Sequence, residues 1–203
     1  MKRIIFCSCF LLSSYLIISC GNGNTNQDSI DSAKKMNDKK DTSSASAMAN
    51  DSTASMQAAP VDKDDADFAV DAANGGMMEV TLGRLAQQNA ASQRVKDFGT
   101  MMVNDHTALG NKLKTLAANE NISLPATLGN DAQKEVNDLS KKSGKDFDKA
   151  YMNMMLDDHK TDIKDFQKAA AACKDPGLKN FALQSLPTLQ VHLDSAIAIT
   201  GKK

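Results

Sequence analysis

Met101-Met102-Val103-Asn104-Asp105-His106 returns 53 residues later as Met154-Met155-Leu156-Asp157-Asp158-His159. Each copy puts a methionine four residues before a histidine, so thioether and imidazole share one face of a helix. Around the first copy, Val95, Gly99, Met102, His106, Leu109, Leu113 and Ala117 form an apolar stripe. It predicts a helix from Ser92, as N-cap, to Asn119. Around the second, Tyr151, Met155, His159, Asp162, Phe166 and Ala170 form another stripe, predicting a helix over about residues 145–173. Phe98 then aligns with Tyr151, and Leu113 with Phe166. An old duplication and a shared packing demand both account for the echo.

Two further helices flank these. Phe68, Ala72, Gly75, Glu79, Leu82 and Ala86 define one over about residues 63–90. Gly75-Gly76 weakens it locally and predicts a close helix approach or a kink. After the turn signal Asp175-Pro176-Gly177, the stripe Phe181, Ser185, Leu189, His192, Ala196 and Ile199 gives the last helix, about residues 176–200. Pro187 should kink it one turn before His192. Between the second and third long helices lies a connection holding Pro125 and a short amphipathic piece, about residues 131–142. Such a link can run from one end of a bundle to the other. No strand pattern interrupts the series, so residues 63–203 read as one all-α, four-helix bundle.

All three histidines of the chain, with Glu79, lie near mid-length of different helices, on the apolar faces. They are expected to share one layer. Glutamate is almost never buried unless paired, so the four must satisfy one another or share an ion. Three imidazoles and a carboxylate suit Zn, Cu or Fe. Met102 and Met155 are weaker candidates as soft ligands for Cu(I), against an ordinary role as core filler. Asp105 and Asp158 point about 100° away from their histidines and suit supporting hydrogen bonds to the ligand rings, and Asp162 lies closer to the seam. Di-iron oxidation needs Glu-x-x-His on two helices, but Val103, Leu156 and Leu189 occupy the positions three before the histidines. A single bound metal and a metal-free polar lock both remain open.

The N-terminal part has another character. Lys2 and Arg3 precede an apolar run, about Ile4 to Ile18, of signal-peptide length and too short for a membrane span. Ile17-Ile18-Ser19-Cys20-Gly21 resembles a bacterial lipobox, which implies removal of residues 1–19 and lipidation of Cys20. An ordinary secretory signal with a chance cysteine is the other reading. Cys173 is then the only thiol left, and reads as a buried hydrophobe. Residues 20–62 carry few large apolar side chains and are expected to form a disordered tether. With 24 basic against 25 acidic residues and no basic patch, nothing argues for nucleic acid.

The stretches Gly75 to Val80 with Leu85-Ala86, Phe98 to His106, Phe147 to His159, and Leu186-Pro187-Thr188-Leu189 to His192 together resemble the bacterial envelope family called domain of unknown function 4142. The resemblance covers about residues 65–198. It implies a ferritin-like four-helix bundle, with its one long connection between the second and third long helices, and an outer-membrane address facing the periplasm. It implies no activity. No phosphate loop, nucleophile elbow or Cys-His pair stands in the sequence. The chain therefore reads as a non-catalytic binding module on a lipid anchor, with a structural or protein-interaction module as the alternative and an enzyme third.

Overall fold

A computed structural model describes residues 28–45 and 61–202, and six helices make up nearly all of them. The four long ones are α2 (Lys63–Asn89), α3 (Gln93–Asn119), α5 (Gly144–Ala172) and α6 (Pro176–Thr200). Their limits fall within a residue or two of the sequence expectation. The apolar stripes and the Gly, Pro and Asp punctuation had marked them. Asp62 caps α2 by accepting the Asp64 and Asp65 amides at 3.1 and 3.2 Å, and Asp175 caps α6 through the Leu178 amide at 2.7 Å. Ser92 stands at the N-cap of α3 without a side-chain cap bond. Its amide goes instead to Asp148, as described below. α6 continues through Pro187 without a break.

Helices α2 and α3 pack as one antiparallel pair and α5 and α6 as another, with α2 against α5 and α3 against α6. Ala90, after α2, bridges to Gly144 at the start of α5. Asp65, in the first turn of α2, takes the Lys174 amide at 3.0 Å and the Asp175 amide at 2.6 Å, beyond the end of α5. Helix α5 thus starts where α2 ends and stops where α2 begins. The order is up–down–down–up, and the connection 120–143 travels the length of the bundle with α4 (Asn130–Ser140) lying along α2.

One expectation is overturned before Lys63. Part of the expected disordered tether is a helix, α1 (Ser29–Ala45), packed on α2. Its composition is polar, yet Ile30, Ala33 and Asn37 fall on one face, and Ala33 and Asn37 are buried. The Asn37 amide spans the Ser123 backbone, accepting its N–H at 2.7 Å and donating to its carbonyl at 3.0 Å. Asp28 caps α1 through the Ile30 amide and also accepts the Asn130 amide at 2.8 Å. Polar bonds to the long connection replace the apolar burial that the composition lacks. The folded body therefore begins near Asp28.

A second difference concerns the glycines. A Cβ on Gly75 would meet nothing within 4 Å, so no close approach occurs there. The close approach of α2 and α3 lies two turns on. A Cβ on Gly83 would stand 2.6 Å from the Gly99 carbonyl, and one on Gly99 would stand 2.7 Å from the Ala86 Cβ.

The core falls into two apolar clusters. One gathers Leu82, Phe98, Met102, Phe147, Tyr151 and Met155, and the other gathers Ala69, Leu113, Phe166, Phe181 and Leu189. Phe68, Phe166 and Phe181 pack edge-on and tilted in the second, with centroids 5.2–6.5 Å apart. Glu79, His106, His159 and His192 lie at the mid-chain positions between the two.

The two helix pairs share one plan. An offset of 83 residues carries the N-cap Ser92 to the N-cap Asp175. It carries the buried Val95, Phe98, Gly99 and Met102 to the buried Leu178, Phe181, Ala182 and Ser185. The same offset carries Asp65 to Asp148. Asp148 accepts the Ala91 and Ser92 amides at 3.0 Å each, so each carboxylate clips the turn of the opposite pair. Internal correspondence thus relates α2 to α5 and α3 to α6. The methionine–histidine echo between α3 and α5 joins two parallel helices that this correspondence does not relate.

Candidate metal centre

His159 and His192 are wholly buried, and His106 and Glu79 are 5% and 3% exposed. They come from α3, α5, α6 and α2, as their stripes require. One oxygen of Glu79 (Oε2) lies 2.8 Å from His106 Nδ1. His159 Nδ1 lies 2.9 Å from the Met155 carbonyl, one turn back in its own helix. His192 Nε2 lies 2.9 Å from Asp105 Oδ2. A carbonyl or carboxylate oxygen only accepts, so in each ring this nitrogen donates its proton. Asp105 thus holds His192 across the α3–α6 interface, the supporting role its position in the sequence suggested.

What remains of each ring faces the other two. His106 Nε2 is 3.3 Å and His159 Nε2 is 3.1 Å from His192 Nδ1. When the rings are neutral, all three nitrogens carry lone pairs and no hydrogen lies between them. A ring whose other nitrogen is pinned to a carboxylate or carbonyl is the standard arrangement of a metal-ligating histidine. Ligands about 2.0–2.1 Å from a tetrahedral ion stand about 3.3 Å apart, close to the spacings here.

Glu79 does not join this group, which refines the expectation of a single four-residue layer. Its ligand atoms converge instead with those of His159 and Asp162, all within 4.8 Å of one another, while the three imidazoles form their own group within the same limit. His159 belongs to both. The second oxygen of Glu79 (Oε1) is 3.4 Å from His159 Nε2, and it is buried without a hydrogen-bond partner.

Electrostatics follow the burial. Burial alone would raise the Glu79 carboxyl, but the charge and hydrogen bond of His106 hold it below the ordinary carboxylate value. Burial works to lower His106, and Glu79 overcomes it and raises that imidazole. Burial pushes His192 down to about 4 and lowers His159, which keeps both rings neutral and their lone pairs free. Burial and the Glu79 charge push Asp162 up to about 9 and Asp158 to about 7. One Asp158 oxygen is buried without a partner. Carboxyl groups therefore gather on the α2–α5 side of the centre, with the charge held on Glu79 and protons held on Asp162.

Met102 and Met155 lie fully buried in the first apolar cluster with Leu82, Phe98 and Tyr151, the surroundings of core side chains. Cys173 is a free, buried thiol in the second cluster, and burial pushes it up to about 12. Glu79, His106 and Asp162 border a cavity of about 440 Å³, together with Gly75 and Gly76. Under the 83-residue offset, Asp162 corresponds to Glu79 and His159 to Gly76. The glycine stands where the other half of the fold places an imidazole. Sequence reasoning missed Asp65, Asp148 and the Gly83–Gly99 contact. An alignment of the two helix pairs at that offset would have singled out the two carboxylates.

Fold and centre together define an all-helical bundle with a buried histidine–carboxylate site. The chain belongs to the family described as domain of unknown function 4142, whose profile matches residues 50–199. No curated protein and no solved structure matches it. Helix α1 lies before the matched span. Residues 1–19 and Cys20 lie outside the described residues, among which no helix is long and apolar enough to cross a membrane.

Proposed function

We propose that this chain is a lipid-anchored envelope protein whose bundle binds one transition-metal ion through His106 Nε2, His159 Nε2 and His192 Nδ1. The observation that carries this reading is the meeting of three imidazole nitrogens at 3.1 and 3.3 Å, each bare when its ring is neutral and each ring fixed from behind by an oxygen acceptor. Without an ion, the three lone pairs repel one another in a buried site. A single shared proton relieves at most part of that. An ion relieves all three at once. Imidazole ligation suits Zn, Cu and Fe. The role is binding rather than turnover, in metal homeostasis or stress tolerance of the envelope.

The full chain, purified without a histidine tag, should carry or take up about one equivalent of Zn, Cu or Fe by elemental analysis and calorimetry. His106→Ala combined with His159→Ala should abolish uptake. If none of the three metals binds above background, the reading is wrong and the layer is a polar lock setting helix register.

The anchor supports an envelope address facing the periplasm. Asp28, where the folded body starts, is eight residue steps beyond Cys20, a reach of at most about 28 Å. The bundle would sit close to the bilayer. Cys20→Ser should move the protein from the membrane fraction to the soluble fraction, and an unchanged distribution would remove the anchor.

A further inference from the structure

We infer that the cavity at Gly75–Gly76 is the entry route of the metal, and that Asp162 and Glu79 form a loading station which passes the ion to His159. This rests on the metal reading above and adds how the ion arrives. Three features lead to it. The three-imidazole group is closed off, with His159 and His192 wholly buried, so an ion needs a path through the helices. The cavity of about 440 Å³ supplies one, since Glu79, His106 and Asp162 all border it.

Glycine keeps this path open. A Cβ on Gly75 would meet nothing within 4 Å, and one on Gly76 would be nearest to His106 Nδ1, at 4.0 Å. A larger side chain at Gly76 would therefore project from α2 toward the centre. The equivalent position of α5 holds the ligand His159. In α2 the side chain is missing, and the cavity takes its place.

The inner end of the path is built to receive a cation. Glu79 Oε1 is buried with no hydrogen-bond partner. Glu79, Asp162 and His159 form a group whose ligand atoms lie within 4.8 Å of one another. His159 Nε2 is 3.4 Å from Glu79 Oε1 and 3.1 Å from His192 Nδ1, so one nitrogen faces both positions. An ion held by Glu79, Asp162 and His159 moves into the final site by exchanging two carboxylate oxygens for His106 Nε2 and His192 Nδ1, keeping its bond to His159. No electron is transferred, and protons held by the carboxyls leave through the cavity. The outer rim carries Asp71 and Asp165 against Arg84 and Lys114, so net charge at the mouth does not select the ion. The inner carboxylates do.

The test is stopped-flow uptake of Co(II) by the full chain, followed through its visible absorption. Asp162→Asn, which keeps the shape but removes the oxygen that can give up its proton to the ion, should slow uptake at least about tenfold. Final stoichiometry and spectrum should match the parent chain. Gly76→Leu should slow uptake comparably by filling the path. Parent rates in both variants would overturn the proposal. So would an altered final spectrum in Asp162→Asn, because Asp162 would then be a ligand of the resting site. Failure of the parent chain to take up Co(II) at equilibrium would instead overturn the metal reading, and this route with it.

Discussion

Asp105 decides which nitrogen of His192 is free. Its carboxylate can only accept, so His192 Nε2 keeps the proton and Nδ1 is left bare toward His106 and His159. Asp105→Asn offers an amide that can turn and donate to Nε2, sending the proton to Nδ1 and blocking the ligand position. Metal affinity should fall about 10–100-fold with the helical content unchanged. Competition against a chromogenic chelator measures it, and an unaltered dissociation constant would count against Nδ1 as the ligand. Asp158 allows a separate test in the metal-free protein. Burial and Glu79 raise its carboxyl to about 7 from an ordinary value near 4, and one oxygen has no partner. Between those values the folded state holds a proton that the unfolded state has released. This carboxyl therefore costs increasing stability as pH rises through that window. Asp158→Asn removes the cost, so its stability relative to the parent should improve from pH 4 to pH 7 and then level off. Urea titrations across the range check this, and a constant difference would place Asp158 in water.

At the scale of elements, glycines that look alike in sequence do different things. Gly75-Gly76 invited a close approach, but the helices meet at Gly83 and Gly99, one on each side of the contact. A pair on one helix announces itself, whereas a pair divided between two helices becomes visible only once their register is known. Gly99→Ala would place its Cβ 2.7 Å from the Ala86 Cβ and from the Gly83 carbonyl. Overpacking of that kind costs about 1–3 kcal/mol, against up to about 1 kcal/mol gained in helix propensity, so the variant should be less stable. Gly75→Ala has open space and the same propensity gain, and should be more stable by roughly 0.5–1 kcal/mol. Thermal melts of the two should move in opposite directions, and parallel shifts would refute the assigned contact. Helix α1 went unread for a related reason. Its stabilising contacts, Asn37 on Ser123 and Asp28 on Asn130, reach residues about 85–100 positions away, and nothing in its own periodicity is strongly apolar.

At the scale of the molecule, the four long helices were legible because each combines an apolar stripe with an end signal, as at Ser92, Gly144 and Asp175-Pro176. The centre was legible as to membership, since histidine and glutamate on apolar faces must meet in the core. Its division into two groups sharing His159 was not. That depends on ring orientations set by Met155, Asp105 and Glu79, which spacing along the chain cannot supply. The two apolar clusters on either side of the centre have a consequence for stability. With apolar burial on both sides of the centre, the bundle should fold without metal, unlike a zinc finger. The three imidazoles nevertheless come from α3, α5 and α6, joining the two helix pairs, and an ion bound by them only in the folded state would stabilise both together. At a free metal concentration about 100 times the dissociation constant, the gain is about 2.7 kcal/mol. For a body of this size that corresponds to a rise of about 5–10 °C in melting temperature, growing with metal concentration. The transition should remain single, because the ion ties together the halves that Asp65 and Asp148 already clip to each other. Calorimetric scans at increasing metal concentration test this. A melting temperature indifferent to metal would leave the layer as a polar lock, and a transition split in two would mean that the clips, and not the centre, set the limit of cooperativity.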